Sequence, residues 1–213
     1  MEDALASISP SRGHKKRERT RGKLVAAALR VFARKGEALT ISDVVAAAEV
    51  SNGTFYNYFA DREALFDALA EHLASTLAAE AAIEIDTGDS ALRFVTASAR
   101  VLAHAAEDPT WGALILRLDA LGSDAQENAT RYLREDLEQG RAEGRFEVGA
   151  DAAILDFVGG ALGVAIRRIV QGDASREHVV TVLSRLLRAL GVPSAEILGL
   201  VDRALVDAGL QLD

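Results

Sequence analysis

Cysteine is absent from the chain, which excludes disulfides and thiolate metal sites and suits a cytoplasmic protein. No apolar stretch precedes the basic residues near the N-terminus, so we expect no signal peptide. The longest uninterrupted apolar run, residues 157–166, is too short to span a bilayer. Hydrophobic residues make up 49% of the chain and charged residues 26%. These features predict a soluble, intracellular protein with no membrane partner.

Signatures of catalysis are also missing. The histidines show no metal-ligand spacing; they are His14, His72, His104 and His178. The glycines at 159, 160 and 163 lie in a helical segment that no strand precedes, so they do not form a phosphate-binding loop. No nucleophile elbow occurs. We therefore expect no catalytic residue, no metal and no cofactor, and an enzyme remains only as an alternative interpretation.

The charge is unevenly distributed. The net charge is −8, but residues 12–35 hold ten basic residues and one acid, Glu18. Such asymmetry is typical of a nucleic-acid-binding arm on an acidic body, although a solvated tail would have the same composition. The candidate arm cations are Arg12, Lys15, Lys16, Arg17, Arg19, Arg21 and Lys23.

The apolar residues recur at helical spacing throughout, and strand signals are absent. Gly36 ends the first helix, Thr40 and Asp43 form a capping-box variant for the second, and Ser51 caps the third. An all-α fold is expected. The predicted helices cover about 20–35, 40–48, 51–59, a long helix from 61, 90–106, 109–121, 124–143, 151–171, 176–190 and 194–208.

The second and third helices, joined by a turn of three residues, are typical of a helix-turn-helix. Phe55 and Phe59, four residues apart, are expected to face inward. Gly53 allows the backbone to approach DNA closely. Polar residues of the third helix are predicted to face the major groove. They are Asn52, Thr54, Tyr56, Asn57 and Tyr58.

The residues Thr40–Val44, and Val50–Phe66 with the segments GTFYNYF and DREALF, resemble the DNA-binding domain of the tetracycline-repressor (TetR) family. The resemblance covers about residues 20–66, and the remainder is similar only in length and helical layout. Two positions depart from the family pattern. Glu49 replaces the usual turn glycine and is expected to adopt a left-handed conformation that costs about 1 kcal/mol. Ala60 replaces a frequent proline.

The resemblance implies roles for individual residues. Thr40, Tyr56, Tyr58 and Arg62 would contact phosphate, and Ser51 lies at a helix N-terminus that suits one. The positions implied to read bases are Asn52, Gly53, Thr54 and Asn57. Simpler interpretations remain open: the tyrosines as core residues, Arg62 as an ion-pair partner, and Thr40 and Ser51 as caps alone.

The rest of the chain is expected to sense a small molecule and to hold a homodimer together. Residues 157–166 are apolar on all sides, and the following helix has a wide apolar stripe. The predicted interface residues are Gly159, Gly163, Ile166, Val179, Val182, Leu183, Leu186, Leu187 and Leu190. The last helix, through Leu198, Val201 and Leu205, is the alternative.

A ligand pocket is expected between the long fourth helix and the middle helices, apolar with a few polar groups. Its candidates are His72, Thr76, Phe94, Ser98, Val101, His104, Trp111, Ile115, Arg117, Leu118, Phe157 and Ala161. The predicted organisation is a disordered basic arm (1–17), a helix-turn-helix domain (18–62) and a helical ligand-binding and dimerisation domain (63–213). The expected function is a ligand-responsive regulator, by default a repressor, that binds a palindromic double-stranded operator in the nucleoid. A DNA-binding regulator without an inducer is the alternative.

Overall fold

The computed structural model describes residues 12–82, 88–117 and 123–210, and within these ranges it contains ten α-helices and no strand. The predicted all-α class is confirmed. A 3-10 turn, Gly36–Ala38, lies between α1 and α2. In chain order the helices are α1 Arg12–Lys35, α2 Ile41–Ala48, α3 Asn52–Tyr56, α4 Arg62–Ala82, α5 Ser90–Glu107, α6 Pro109–Ile115, α7 Ser123–Ala142, α8 Ala152–Val170, α9 Arg176–Ala189 and α10 Ser194–Ala208.

The chain forms two compact units, Met1–Leu69 and Ala70–Asp213, and the boundary falls within α4. In the first unit α1 packs against α2, and α2 against α3. Side chains spaced at helical intervals on α1 fill its core together with residues from the other helices. The largest are Leu24, Phe32, Leu39, Phe55, Leu65 and Leu69, each no more than 1% exposed.

Local capping sets the ends of these helices. Thr40 and Asp43 form the predicted capping box at the start of α2. Ser51 Oγ accepts a hydrogen bond from Thr54 N (3.1 Å), and Asp61 Oδ1 accepts one from Ala64 N (2.8 Å). Each side chain satisfies a backbone donor that the first turn of a helix leaves unpaired, so the sequence positions of these caps determine where the helices begin.

The second unit is built around α5, which packs against α6, α7, α8, α9 and α10. The polar residues Ser90, Thr96 and Ser98 are buried on α5 together with its apolar ones. Ser98 donates its hydroxyl to Phe94 O at 2.9 Å, which satisfies one of these groups within the helix. The core of this unit therefore surrounds a single central helix.

An ionic cluster holds the start of α5 against the rest of the second unit. Arg145 donates to both carboxylate oxygens of Asp89 (2.9 and 3.1 Å) and to Glu196 Oε2 on α10 (2.9 Å). Asp89 also accepts from the Ala91 amide and so caps α5. Burial alone would raise the pKa of Asp89, but the Arg145 and Ala91 hydrogen bonds outweigh it and lower the pKa below its ordinary value.

Three helix boundaries differ from the predictions. Residues 12–17, expected to be disordered, form the first turns of α1. The α3 helix ends at Tyr56 instead of near Phe59, although Phe59 N still donates to Phe55 O. The α6 helix ends at Ile115, and residues 118–121 of the predicted helix lie outside the described residues.

Among the helices that are described, none combines the length and the apolar character needed to cross a membrane.

Candidate nucleic-acid interface

The turn between α2 and α3 has the hydrogen bonds of a Schellman motif. Val50 N donates to Val45 O (3.0 Å), and Glu49 N donates to Ala46 O (3.3 Å). Glu49 has φ 55° and ψ 45°, so the predicted left-handed conformation is confirmed. The turn reverses the chain over residues 49–51, which places α3 across α2 as a helix-turn-helix requires.

The α3 segment has one buried side and one polar, exposed side. Phe55 is fully buried and Phe59 is 3% exposed, and their rings pack with centroids 5.5 Å apart. Tyr56, by contrast, is 56% exposed. Five of the predicted DNA-contacting positions lie open to solvent on this segment, namely Ser51, Asn52, Gly53, Tyr56 and Asn57, while Thr54 and Tyr58 are half-buried.

Gly53 leaves the backbone of α3 accessible. A methyl group built at this position would meet only Ser51 Oγ, at 3.8 Å. Ser51 Oγ also lies 3.0 Å from Thr54 Oγ1, so the two hydroxyls pair at the start of the helix. The arrangement presents small polar groups at the end of α3 that would enter a groove.

Thr40 lies in a charged network at the start of α2. Its hydroxyl donates to Asp43 Oδ2 (2.7 Å) and accepts from Asp43 N (3.2 Å), and Lys35 Nζ contacts Asp43 Oδ1 at 2.6 Å. The Lys35 and Thr40 hydrogen bonds lower the pKa of Asp43 to about 2. Thr40 is thus a cap, and it is exposed at the end of α2 that carries free backbone amides.

The basic residues before the core of α1 belong to a continuous helix. Arg17 and Arg21, one turn apart, lie over aromatic rings of the α3 segment: the guanidinium carbons are 6.0 Å from the Tyr58 centroid and 5.4 Å from the Phe59 centroid. The predicted contact residues Arg19 and Arg21 are both exposed. The structure therefore brings the Arg17 side chain next to Tyr58, for which the resemblance implies a phosphate contact.

Arg62 is more constrained than its predicted role suggests. It is half-buried, its Nε donates to Leu39 O at 3.1 Å, and its guanidinium carbon lies 4.2 Å from the centroid of Phe66. Leu39 is 23 positions away in the chain, so no local sequence pattern could have revealed this bond.

In the second unit, three predicted pocket residues come together. Trp111 Nε1 donates to Thr76 Oγ1 (3.1 Å), and Thr76 Oγ1 donates to Leu73 O (2.9 Å). The centroids of the His104 and Trp111 rings are 4.3 Å apart. Polar and aromatic groups of α4, α5 and α6 thus converge. Of the other candidates, Phe94 and Ser98 are buried, and Val101, Ile115, Arg117 and Ala161 are half-buried.

Two predicted pocket residues lie elsewhere, and one is not described. His72 is exposed, and Phe157 is 46% exposed on α8, so neither lies in the interior of this unit as predicted. Leu118 lies outside the described residues. The segment 157–166 is apolar on all sides, but one side of its helix faces solvent.

Most of the predicted dimer residues belong to the core of the subunit itself. The wide apolar stripe of α9 packs against α5, α8 and α10 of its own chain. The buried residues are Ile166, Val179, Leu183, Leu186, Leu187 and Leu190, each no more than 2% exposed. Val182 and Gly163 are half-buried, and Gly159 is exposed. In the alternative interface, Val201 and Leu205 are also buried, and only Leu198 is exposed.

Known proteins match both units. Residues 24–69 match the family described as "Bacterial regulatory proteins, tetR family", and residues 89–203 match "Tetracyclin repressor-like, C-terminal domain". No curated protein sequence matches significantly. Among solved structures, RolR in complex with resorcinol is 28% identical (TM-score 0.62, covering 89% of this chain and 96% of that one).

Two further structures have the same architecture. A γ-butyrolactone receptor (ArpA-like protein) is 26% identical, with a TM-score of 0.64 over 91% of this chain and 100% of the other. A TetR-family regulator from Syntrophomonas wolfei is 23% identical, with a TM-score of 0.68 over 83% and 97%, and supports the fold alone. The C-terminal family match by itself covers more than half of the chain. The chain therefore belongs to the TetR family and is a helix-turn-helix transcriptional regulator, not an enzyme.

Proposed function

We propose that a homodimer of this chain binds a palindromic operator and represses transcription until a small effector releases it. The observation that carries the proposal is the exposed polar side of α3 above a buried aromatic side. One recognition helix contacts too few bases to select a site in a genome, so two copies about 34–36 Å apart would be needed, one for each half-site.

The exposed side chains divide into base-reading and phosphate-contacting groups. Asn57 offers the amide that can pair with adenine in the major groove, and Tyr56 offers a hydroxyl for phosphate. Replacement Asn57→Ala should weaken discrimination at one position per half-site by about 1–3 kcal/mol. Replacement Tyr56→Phe should weaken binding to all sequences alike. Binding-site selection with both variants tests the assignment, and the opposite behaviour would show that the two roles are reversed.

A stripe on α8 is the surface we assign to the dimer. Ala153, Phe157, Gly160 and Val164 recur at helical spacing and are exposed, with Phe157 and Val164 46% and 50% accessible. A methyl group built at Gly160 would meet no atom of the chain within 4 Å. An exposed apolar stripe containing glycine allows close approach of a second helix, and homodimers are typical of the family.

The dimer is tested with Gly160→Leu. The substitution should not disturb packing within the subunit. Replacing a glycine inside a helix also favours the helical state, because leucine has the higher helix propensity. We expect partial dissociation in sedimentation at micromolar concentration and a larger loss of affinity for a palindrome than for non-specific DNA. Leu198→Lys, at a 62% exposed position on α10, is the matched control. If that variant dissociates and Gly160→Leu does not, the interface lies on α10.

The effector is proposed to bind near the convergence of Thr76, His104 and Trp111. The proteins at 28% and 26% identity are RolR in complex with resorcinol and a γ-butyrolactone receptor, and resorcinol and γ-butyrolactones are small molecules with few polar groups. An effector of this chemistry would suit an apolar site with a few hydrogen-bonding groups. Release of operator DNA by such compounds tests this. If none releases it while operator binding is intact, the alternative of a regulator without an inducer is favoured.

A further inference from the structure

The peptide group between Leu39 and Thr40 is held from two sides. Its carbonyl oxygen accepts from Arg62 Nε, and its N–H donates to Asp43 Oδ2, each at 3.1 Å. Asp43 is a neighbour on α2, whereas Arg62 is the first residue of α4. The position of the α2 N-terminus is therefore linked directly to the first turn of α4.

Arg62 is itself held in place by aromatic packing. Its guanidinium lies on the face of Phe66, one turn along α4, and the Phe66 ring meets Phe32 of α1 edge-on with centroids 5.5 Å apart. The planar guanidinium thus has a ring on one side and a carbonyl acceptor for Nε. This geometry fixes the head group towards the protein, which differs from the phosphate contact that the family resemblance implies for position 62.

We propose that Arg62 is a positioning residue that ties the first turn of α4 to the start of α2. A displacement of the beginning of α4 then moves Leu39 and, with it, Thr40 at the N-terminus of α2, for which the resemblance implies a phosphate contact. The inference rests on the proposed DNA binding and adds the residue through which α4 controls it. It requires no phosphate contact by Arg62 itself.

The test uses the full-length protein and a palindrome recovered by binding-site selection with the wild type. Arg62→Lys keeps the charge but loses the planar fork, whereas Arg62→Gln loses the charge. Affinity is measured over a salt series for both variants, for Thr40→Ala and for the double variant Arg62→Lys with Thr40→Ala. Phe66→Leu, which removes the ring but leaves Arg62, is the second route to the same effect.

For a positioning role, Arg62→Lys and Phe66→Leu should each bind the palindrome about tenfold more weakly, the equivalent of one charge-assisted hydrogen bond at about 1.4 kcal/mol per factor of ten. The salt slope should match that of the wild type. In the Thr40→Ala background the Arg62→Lys loss should largely disappear, because both changes act on the same end of α2. A general loss of stability would instead reduce specific and non-specific binding alike.

Two results would overturn the proposal. The first is wild-type affinity for Arg62→Lys together with a slope of log K against log salt for Arg62→Gln that is smaller than the wild-type slope by about 1.8. That difference corresponds to about 0.9 for each lost phosphate contact, with one contact in each of the two subunits. The other is additive losses in the double variant. If the wild type selects no DNA sequence at all, the proposed function fails before any variant is tested, so the two failures are distinguishable.

Discussion

Replacing Glu49 with glycine should stabilise the DNA-binding unit. Glu49 is exposed and occupies a left-handed conformation (φ 55°, ψ 45°) at the position of the Schellman turn where glycine is favoured. Any L-residue there keeps its Cβ close to the following carbonyl oxygen. The substitution removes this contact and leaves the two hydrogen bonds of the turn unchanged.

The expected gain is the difference between two terms. A left-handed residue costs about 1–2 kcal/mol, which glycine avoids. Glycine also gives the unfolded chain more conformational freedom, which costs about 0.5–1 kcal/mol. The net stabilisation should therefore lie between about 0 and 1.5 kcal/mol.

Urea denaturation of the full chain, with hydrogen exchange of the α2 and α3 amides, measures this gain where it arises. Three further variants separate backbone from charge. Glu49→Asn should gain part of the effect, because asparagine tolerates this conformation better than most residues. Glu49→Gln removes only the charge, and Glu49→Ala removes the side chain but retains Cβ.

The reasoning predicts that Gly is most stable, followed by Asn, with Gln and Ala close to the wild type. If Glu49→Ala or Glu49→Gln stabilises the unit as much as Glu49→Gly, the backbone strain is not the cause. The gain would then come from removing a carboxylate, and the stability difference between variants should shrink at high salt.

Three further predictions follow from other parts of the molecule. Deleting residues 1–17 should flatten the dependence of log K on log salt and leave the preferred operator unchanged, as measured by anisotropy and site selection; an unchanged slope would identify a solvated tail. Gly140→Ala would push a methyl group into the buried Phe146 ring and should destabilise the protein by about 1–3 kcal/mol in urea, whereas Gly22→Ala, in open space on α1, should not. Folding lowers the pKa of Asp89, so the contribution of this carboxylate to stability is present above the ordinary pKa of 3.8 and is lost as the pH falls through the folded-state value. Asp89→Asn should therefore reduce the difference in unfolding free energy between pH 7 and pH 3. An unchanged difference would contradict the ion pair.

The helices and their ends could be predicted from the sequence because capping and periodicity are local. Thr40 and Ser51 cap where their residue types indicated, and Glu49 is left-handed because the turn requires it. The helical state of residues 12–17 was missed, since their composition has no apolar face. Extending a helix that α1 already provides is easier than starting a new one, and composition does not report this.

The sequence does not determine whether an apolar or charged side chain contacts its own chain or another molecule. The stripe on α9, from Val179 to Leu190, suits a second subunit and its own chain equally well, and the fold places it inside the subunit. Arg62 has a side chain of the type that contacts phosphate, but its Nε donates to the carbonyl oxygen of Leu39. Both outcomes depend on residues that are distant in sequence, and periodicity carries no information about them.

Trp111 gives this regulator an optical reporter of its own state. It is the single tryptophan of the chain, it is 5% exposed, and its indole N–H is bonded to α4 while its ring lies against His104. All indole fluorescence therefore arises where α4, α5 and α6 meet. A compound that separates these helices would change the emission of an unlabelled protein, so effectors can be sought by fluorescence alone before any operator is known.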